Sequence, residues 1–242
     1  MPAHGDDSNS GSARDAAGTP GSVIPLFPLS HVLLPGMPLP LHIFEPRYRQ
    51  LLLDISSGPG TPSFGIVTLT RGTEVGTEGV DEEPQFALVG TVAEVLEVEP
   101  FDDGASDLLT VGSRRFRIER LVPGKPYLQA EVQYLDERDG GDTGTLREIV
   151  LGLQDQHAML IHALTGRQSD MVLPTDPNQL SYHLAAQLPL TSEDRQQLLE
   201  APDAVVRLAR SAVLLRREIA LLRATRTIAV ASRVLQLHLS LN

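Results

Sequence analysis

The single lysine of the chain, Lys125, sits in Gly124-Lys125-Pro126 and is the natural first place to look for catalysis. A phosphate-binding loop ends in glycine, lysine and a hydroxyl residue, because backbone N–H groups and the ammonium cradle phosphate while the hydroxyl holds the metal. Here Glu119 stands where the loop's first glycine belongs, and Pro126 replaces the hydroxyl. The same lysine would be the only candidate base for a serine-lysine dyad, yet a turn between two prolines is a poor place to desolvate an amine. Cysteine is absent, which removes thiolate nucleophiles, disulfides and thiolate metal sites. No G-x-S-x-G, H-E-x-x-H or G-x-G-x-x-G pattern occurs. Asp102 and Asp103 lie on a turn, where water keeps both ionised. Glu45, Arg47 and Tyr48 open a helix, where a carboxylate and an arginine read as capping and packing. His157 falls on an apolar helical stripe with no second metal-type residue spaced to help it, and reads as a core histidine. The residues therefore predict no catalytic group, no metal and no cofactor, and point to binding.

The elements that would carry a binding surface are legible from periodicity. Strands are predicted over Val23–Leu29, Leu39–Phe44, Ser63–Thr70, Phe86–Glu99, Leu108–Leu121 and Tyr127–Leu135, all rich in Val, Ile, Leu and Phe. Asp102-Asp103-Gly104 joins two long strands as a hairpin. One helix interrupts them, with Pro46 in its first turn and Tyr48, Leu51, Leu52 and Ile55 on one face. After the polar, glycine-rich run Asp136–Gly144 the period changes to three and four. Leu146, Val150, Leu153, His157, Leu160 and Leu164 mark one amphipathic helix, Asn178–Gln187 a second, and Thr191 caps a third that ends near Glu200. The longest helix begins at Pro202, with Arg207, Arg210, Arg217 and Arg223 off its apolar stripe.

Charge is uneven. Eleven acids and no Lys or Arg lie between Gly72 and Ser113, which accounts for the whole formal net charge of −11. This disfavours nucleic acid, since backbone phosphates need cations, and it suits either solvation or a basic partner. No apolar run reaches the ~18 residues of a membrane span, and residues 1–21 have the composition of a disordered tail.

The segment Ile24–Tyr48 carries five prolines, at 25, 28, 35, 38 and 40, among apolar residues before it opens the helix. Its pattern, xPLxxxxLxPGxxLPLxIFExRY, resembles the substrate-binding N-terminal domain of Lon proteases. The similarity continues through PSFGIVTL (62–69), the hairpin ending in SRRFRI, PYLQAEVQYLDE (126–137) and the closing helices of 188–222. The resemblance implies an α+β fold: a PUA-like β-barrel with one helix, followed by a C-terminal helical bundle. The expected division is a tail over 1–21, a β-rich unit over 22–137, a linker over 138–144, a bundle over 145–224 and an extension or tail over 225–242. It also implies a stand-alone bacterial, cytoplasmic, non-catalytic module without ATPase or peptidase domains, an adaptor or chaperone-like binder of unfolded or apolar polypeptide segments and of protease components. An RNA-binding PUA-like module and a cryptic hydrolase are the alternatives. For the polypeptide surface the expected residues are Leu33, Leu34, Met37, Phe44 and Tyr48. The reason is that a proline-rich turn leaves strand edges incompletely paired and sits poorly in a core, and methionine adapts to varied clients.

Overall fold

The structure is a computed structural model that describes residues 22–71, 85–166 and 173–239, with side chains to 225 in the last helix. The expected tail over 1–21 and much of the acidic stretch, 72–84, lie outside the described residues. In chain order the elements are β1 (Ser22–Leu29), β2 (Pro38–Ile43), α1 (Pro46–Ser56), β3 (Ser63–Arg71), β4 (Gln85–Phe86), β5 (Val89–Pro100), β6 (Ser106–Leu121) and β7 (Gln129–Tyr134). The helices α2 (Gly144–Thr165), α3 (Pro177–Gln187), α4 (Ser192–Leu199) and α5 (Ala204–Leu239) follow. This is an α+β fold with a C-terminal helical bundle. Beyond 224 the chain continues as helix to Leu239.

The barrel expected from the resemblance is corrected. The strands form one seven-stranded sheet in the order β1-β7-β6-β5-β3-β4, with β2 attached to β6 and a parallel pairing of β1 with β3. A barrel leaves no strand edge, whereas β2 and β4 each have a single partner here. The cause is visible in the residues. Strand β6 is 16 residues long and exceeds what one neighbour can cover, so β2 pairs with its first half and β7 with its second. Pro38 and Pro40 cannot donate to a ladder on both sides, which confines β2 to an edge.

Prolines leave the chain short of backbone donors, and side chains make up the difference. The Thr91 hydroxyl donates to Leu33 O at 2.7 Å and the Thr110 hydroxyl to Leu39 O at 2.8 Å. Gly36 takes a positive φ of 78° at the turn, its N–H donates to Gly112 O at 2.8 Å, and Gly112 N–H donates to Met37 O at 2.9 Å. A Cβ on Gly112 would lie 2.3 Å from Leu34 O, so only glycine allows this approach. The proline loop is thereby laid flat on β6.

Three apolar clusters form the interior. One lies under α1, where Tyr48 stacks on Phe27 with ring centroids 4.0 Å apart and Phe64 and Leu51 pack beside them. A second fills the sheet around Leu26, Val67, Phe116 and Val132. The third joins Val32, Leu34 and Val89 of the β-rich half to Leu180, Leu184, Leu198, Leu208 and Leu215 of the helices. Segment 138–144 is tied down as well, since Arg138 O and Asp139 O accept from the N–H groups of Ala204 and Val205 that open α5, at 2.8 and 3.0 Å. Helix starts follow the residues: Asp176 Oδ1 accepts from Gln179 N at 2.8 Å, and Thr191 Oγ1 accepts from Asp194 N at 3.1 Å.

Candidate functional site

A cleft of about 770 Å³ opens between the proline loop and α3. Pro35, Gly36, Met37 and Pro38 form one lip. The facing wall is α3, where Gln179, His183 and Gln187 recur at a spacing of four and so lie on one helical face. Asn178, Asp176 and Tyr182 continue that wall toward the floor.

The floor is an ion network that joins both halves of the fold. Glu137 accepts from Arg115 Nε at 2.7 Å and from Arg207 at 2.9 Å, and the Tyr182 hydroxyl donates to it at 2.9 Å. Arg115 and Arg207 are 2% and 0% exposed. Their other donors are used: Arg115 Nη1 on Leu199 O and Ala201 O, both at 2.7 Å, and Arg207 Nε on Ser181 Oγ at 2.9 Å and its Nη2 on Asn178 Oδ1. The carbonyls at the C-terminal end of α4 carry partial negative charge, which helps offset two guanidiniums facing one carboxylate. Burial pushes the Tyr182 hydroxyl pKa above its ordinary value, against the pull of Arg207 and Arg115. Tyr182 therefore stays protonated and donates. Arg207 also lies over the Tyr182 ring, 4.3 Å from its centroid.

The residues expected to bind polypeptide separate into two groups. Leu33, Leu34 and Tyr48 are 3%, 0% and 5% exposed, inside the clusters described above. Met37 is half-buried on the lip of the cleft. Phe44 is 50% exposed and flanks a second, smaller cleft of about 220 Å³, onto which Tyr48 also faces. The network was not among the expected site residues. Arg207 was expected off the apolar stripe of its helix, and the sequence signal for Arg115 was its place within SRRFRI.

Lys125 is engaged rather than poised as a base. Its Nζ bonds Asp54 Oδ2 at 2.8 Å, the Tyr127 hydroxyl donates to the same oxygen at 2.6 Å, and Gln50 donates to Oδ1 at 2.7 Å. The hydrogen bond from Lys125, followed by those from Tyr127 and Gln50, holds the Asp54 pKa down to about 2. The unfolded carboxyl titrates near ~3.9. The folded state thus prefers the ionised form, and this contribution is fully present above about pH 4 and fades as pH falls toward 2. Asp54→Asn should be less stable than the parent protein at neutral pH, with the two denaturation midpoints converging in that acid window. A gap that stays constant with pH would contradict the assignment.

His157 is buried on α2, where desolvation lowers its pKa and nearby Glu218 opposes the shift. Among the described residues no group of three or more His, Cys, Asp or Glu could hold a metal ion, and no helix is long and apolar enough to cross a membrane.

Comparison with known proteins identifies the arrangement. The family profile described as the ATP-dependent protease La (LON) substrate-binding domain matches residues 23–217. A Lon protease of Cytophaga hutchinsonii is 27% identical over 195 residues, covering 77% of this chain and 23% of that protein. That of Anaeromyxobacter dehalogenans is 27% identical over 205 residues, covering 81% and 23%. The chain spans less than a quarter of the length of these relatives. Among solved structures, a Lon N-terminal domain protein from Xanthomonas campestris is 28% identical with a TM-score of 0.53, over 78% of this chain and 96% of that one. The N-terminal domain of a Mycobacterium avium complex Lon protease shares the fold at 21% identity, with a TM-score of 0.55 over 81% and 98% of the two chains. With a profile match that runs from β1 into α5, this chain belongs to the family of non-catalytic Lon substrate-binding domains.

Proposed function

We propose that the chain binds extended, unfolded polypeptide segments in the cleft between the proline loop and α3. In this reading it acts in the cytoplasm as an adaptor or chaperone-like module that hands such segments to protease components. The observation that carries it is the pairing of two unlike walls. The exposed Gln179 presents its side-chain amide on α3, while Asn178 and Gln187 beside it are held by Arg207, Asp139 and His183, and Pro35, Met37 and Pro38 present apolar surface opposite. Amides can share hydrogen bonds with any peptide backbone, and a methionine lip accommodates side chains of different shape. Recognition of this kind tolerates sequence variation, as a binder of unfolded chains must. The family's description as a substrate-binding domain supports the reading.

Fluorescence anisotropy of a labelled, reduced and alkylated unfolded protein against the full chain tests it. The Gln179 amide can donate one hydrogen bond and accept another, each worth ~0.5–1.5 kcal/mol, so Gln179→Ala should weaken binding by roughly tenfold. The melting temperature should hold, because the Gln179 side chain is exposed. Undiminished binding by the folded variant would remove the cleft from consideration.

A further inference from the structure

Strands β5 and β6 run past the core as a hairpin arm. Every residue of β5 from Leu96 to Pro100 is exposed, although pairing with β6 continues to Pro100 opposite Ser106. The arm is unusually apolar for a surface element: Leu96, Val98, Phe101 and Leu109 are all exposed, with Phe44 beside them at the end of β2. The His42 ring joins Phe44 and Phe101, and by register Leu109, Glu97, Glu99 and Asp107 share its face, whereas Leu96 and Val98 lie on the opposite one. The ring lies 5.9 Å from Phe44 and 6.1 Å from Phe101, and its Nδ1 is 2.6 Å from Asp107 Oδ1. Next to Phe44 the small cleft, floored by Phe27, Leu29, Leu41 and Tyr48, has room for a single large side chain.

The rim is acidic. Glu97, Glu99, Asp102, Asp103 and Asp107 are exposed, and neither Lys nor Arg occurs from Glu94 to Ser113. The guanidiniums that α1 brings near are engaged: Arg47 Nε bonds Glu45 at 2.9 Å, and Arg49 Nη1 bonds Asp103 O at 3.0 Å. Pro38 and Pro40 deprive the outer edge of β2 of donors, so a partner is recognised through side chains rather than added as a strand.

We propose that this arm and the Phe44 cleft form a second docking surface, for a polypeptide segment in which one large apolar side chain is flanked by lysine or arginine. The apolar side chain enters the cleft over Phe27 and Tyr48, and the cations lie along Glu97, Glu99 and Asp107. Charge complementarity selects this occupant over an acidic or a neutral one. The surface is independent of the cleft on α3. The two share no lining residue: along β2 the first ends at Pro38, and the second takes Pro40 to His42 with Phe44 just beyond the strand.

The test uses the full chain and three short fluorescein-labelled peptides: one phenylalanine between pairs of arginine, the same peptide with glutamate for arginine, and the same with serine for phenylalanine. Binding should favour the first by about tenfold or more over either control and weaken with added salt. Glu97→Lys with Glu99→Lys, and separately Phe44→Ser, should each reduce that affinity without moving the melting temperature, since all three side chains are exposed. An unlabelled unfolded neutral client should not compete, and binding of the basic peptide would stand even if the α3 cleft binds nothing. Equal binding of the acidic peptide, or unchanged affinity in the lysine variant, overturns the proposal. So does sedimentation showing that the arm is covered by a second copy, through the arginines and exposed Val213 and Leu221 of α5, in a dimer that the lysine variant dissolves.

Discussion

Glu137→Ala is expected to destabilise the protein by about 3–5 kcal/mol, because it leaves two buried guanidiniums without their carboxylate. Arg115 and Arg207 are 2% and 0% exposed, so neither can turn to water when the anion goes. Their remaining acceptors, the carbonyls of Leu199 and Ala201, the Ser181 hydroxyl and the Asn178 amide oxygen, carry only partial charge. For a chain of this size the loss corresponds to a fall in melting temperature of roughly 10 °C. Arg207→Met should cost less, since it removes one cation and fills the space with apolar volume. The double variant should be more stable than the sum of the two single losses predicts, because the groups act as a unit. Urea denaturation of the four proteins measures this. A Glu137→Ala loss below about 1 kcal/mol would place the network in the class of screened surface pairs. Glu137, unlike the arginines, keeps 32% of its side chain exposed at the cleft floor, so solvent screens its side of the pair in part.

The network has a consequence for how the two halves move. Glu137 follows β7, Arg115 is on β6, Tyr182 on α3 and Arg207 on α5, so one carboxylate ties the sheet to the helices at the base of the cleft. The apolar cluster containing Leu34, Leu180 and Leu208 spans the same junction. Widening the cleft therefore strains ionic and apolar contacts together, and the lip and the α3 wall are held at a set spacing.

Most elements were legible because their periodicity is local. Strand positions follow from runs rich in Val, Ile, Leu and Phe, helix positions from the three-and-four spacing after residue 144, and Thr191 caps α4 as its sequence suggests. What escaped depends on partners distant in sequence. Arg207 lies off the main stripe of α5, but that helix packs against α2, α3 and α4 at once, so its buried face is broader than a single stripe. The extended run Phe86–Glu99 is broken between β4 and β5, and Gly90 there lies so close to the sheet that a Cβ would meet Ile66 O at 2.3 Å. No local pattern announces that approach. The sheet's open edges likewise depend on which half of β6 each neighbour takes. Burial of the proline loop escaped for a related reason. A run without donors looks unfit for a core until Thr91, Thr110 and Gly112, each more than fifty positions away, are seen to supply hydrogen bonds.

That burial divides two neighbouring side chains sharply, and substitution by aspartate should expose the difference. Leu34 is 0% exposed and packs in the cluster shared with the helices. Leu34→Asp places an unpaired carboxylate there, with a cost above about 4 kcal/mol, which adds desolvation to lost packing. Should that variant fail to accumulate in folded form, Leu34→Ala carries the same test at about 2–5 kcal/mol, from lost apolar contact and the cavity left behind. Met37 lies three residues on, half-buried at the cleft lip, its side chain against the margin of two apolar clusters and the backbone around it pinned by Gly36 and Gly112. Met37→Asp should therefore lower the melting temperature by no more than a few degrees while weakening capture of an unfolded client, since it sets a charge where apolar side chains are to lie. Equal destabilisation by Met37→Asp and Leu34→Ala would mean that Met37 plugs the core. The proline loop would then be a structural seam, and the cleft would lose its apolar wall.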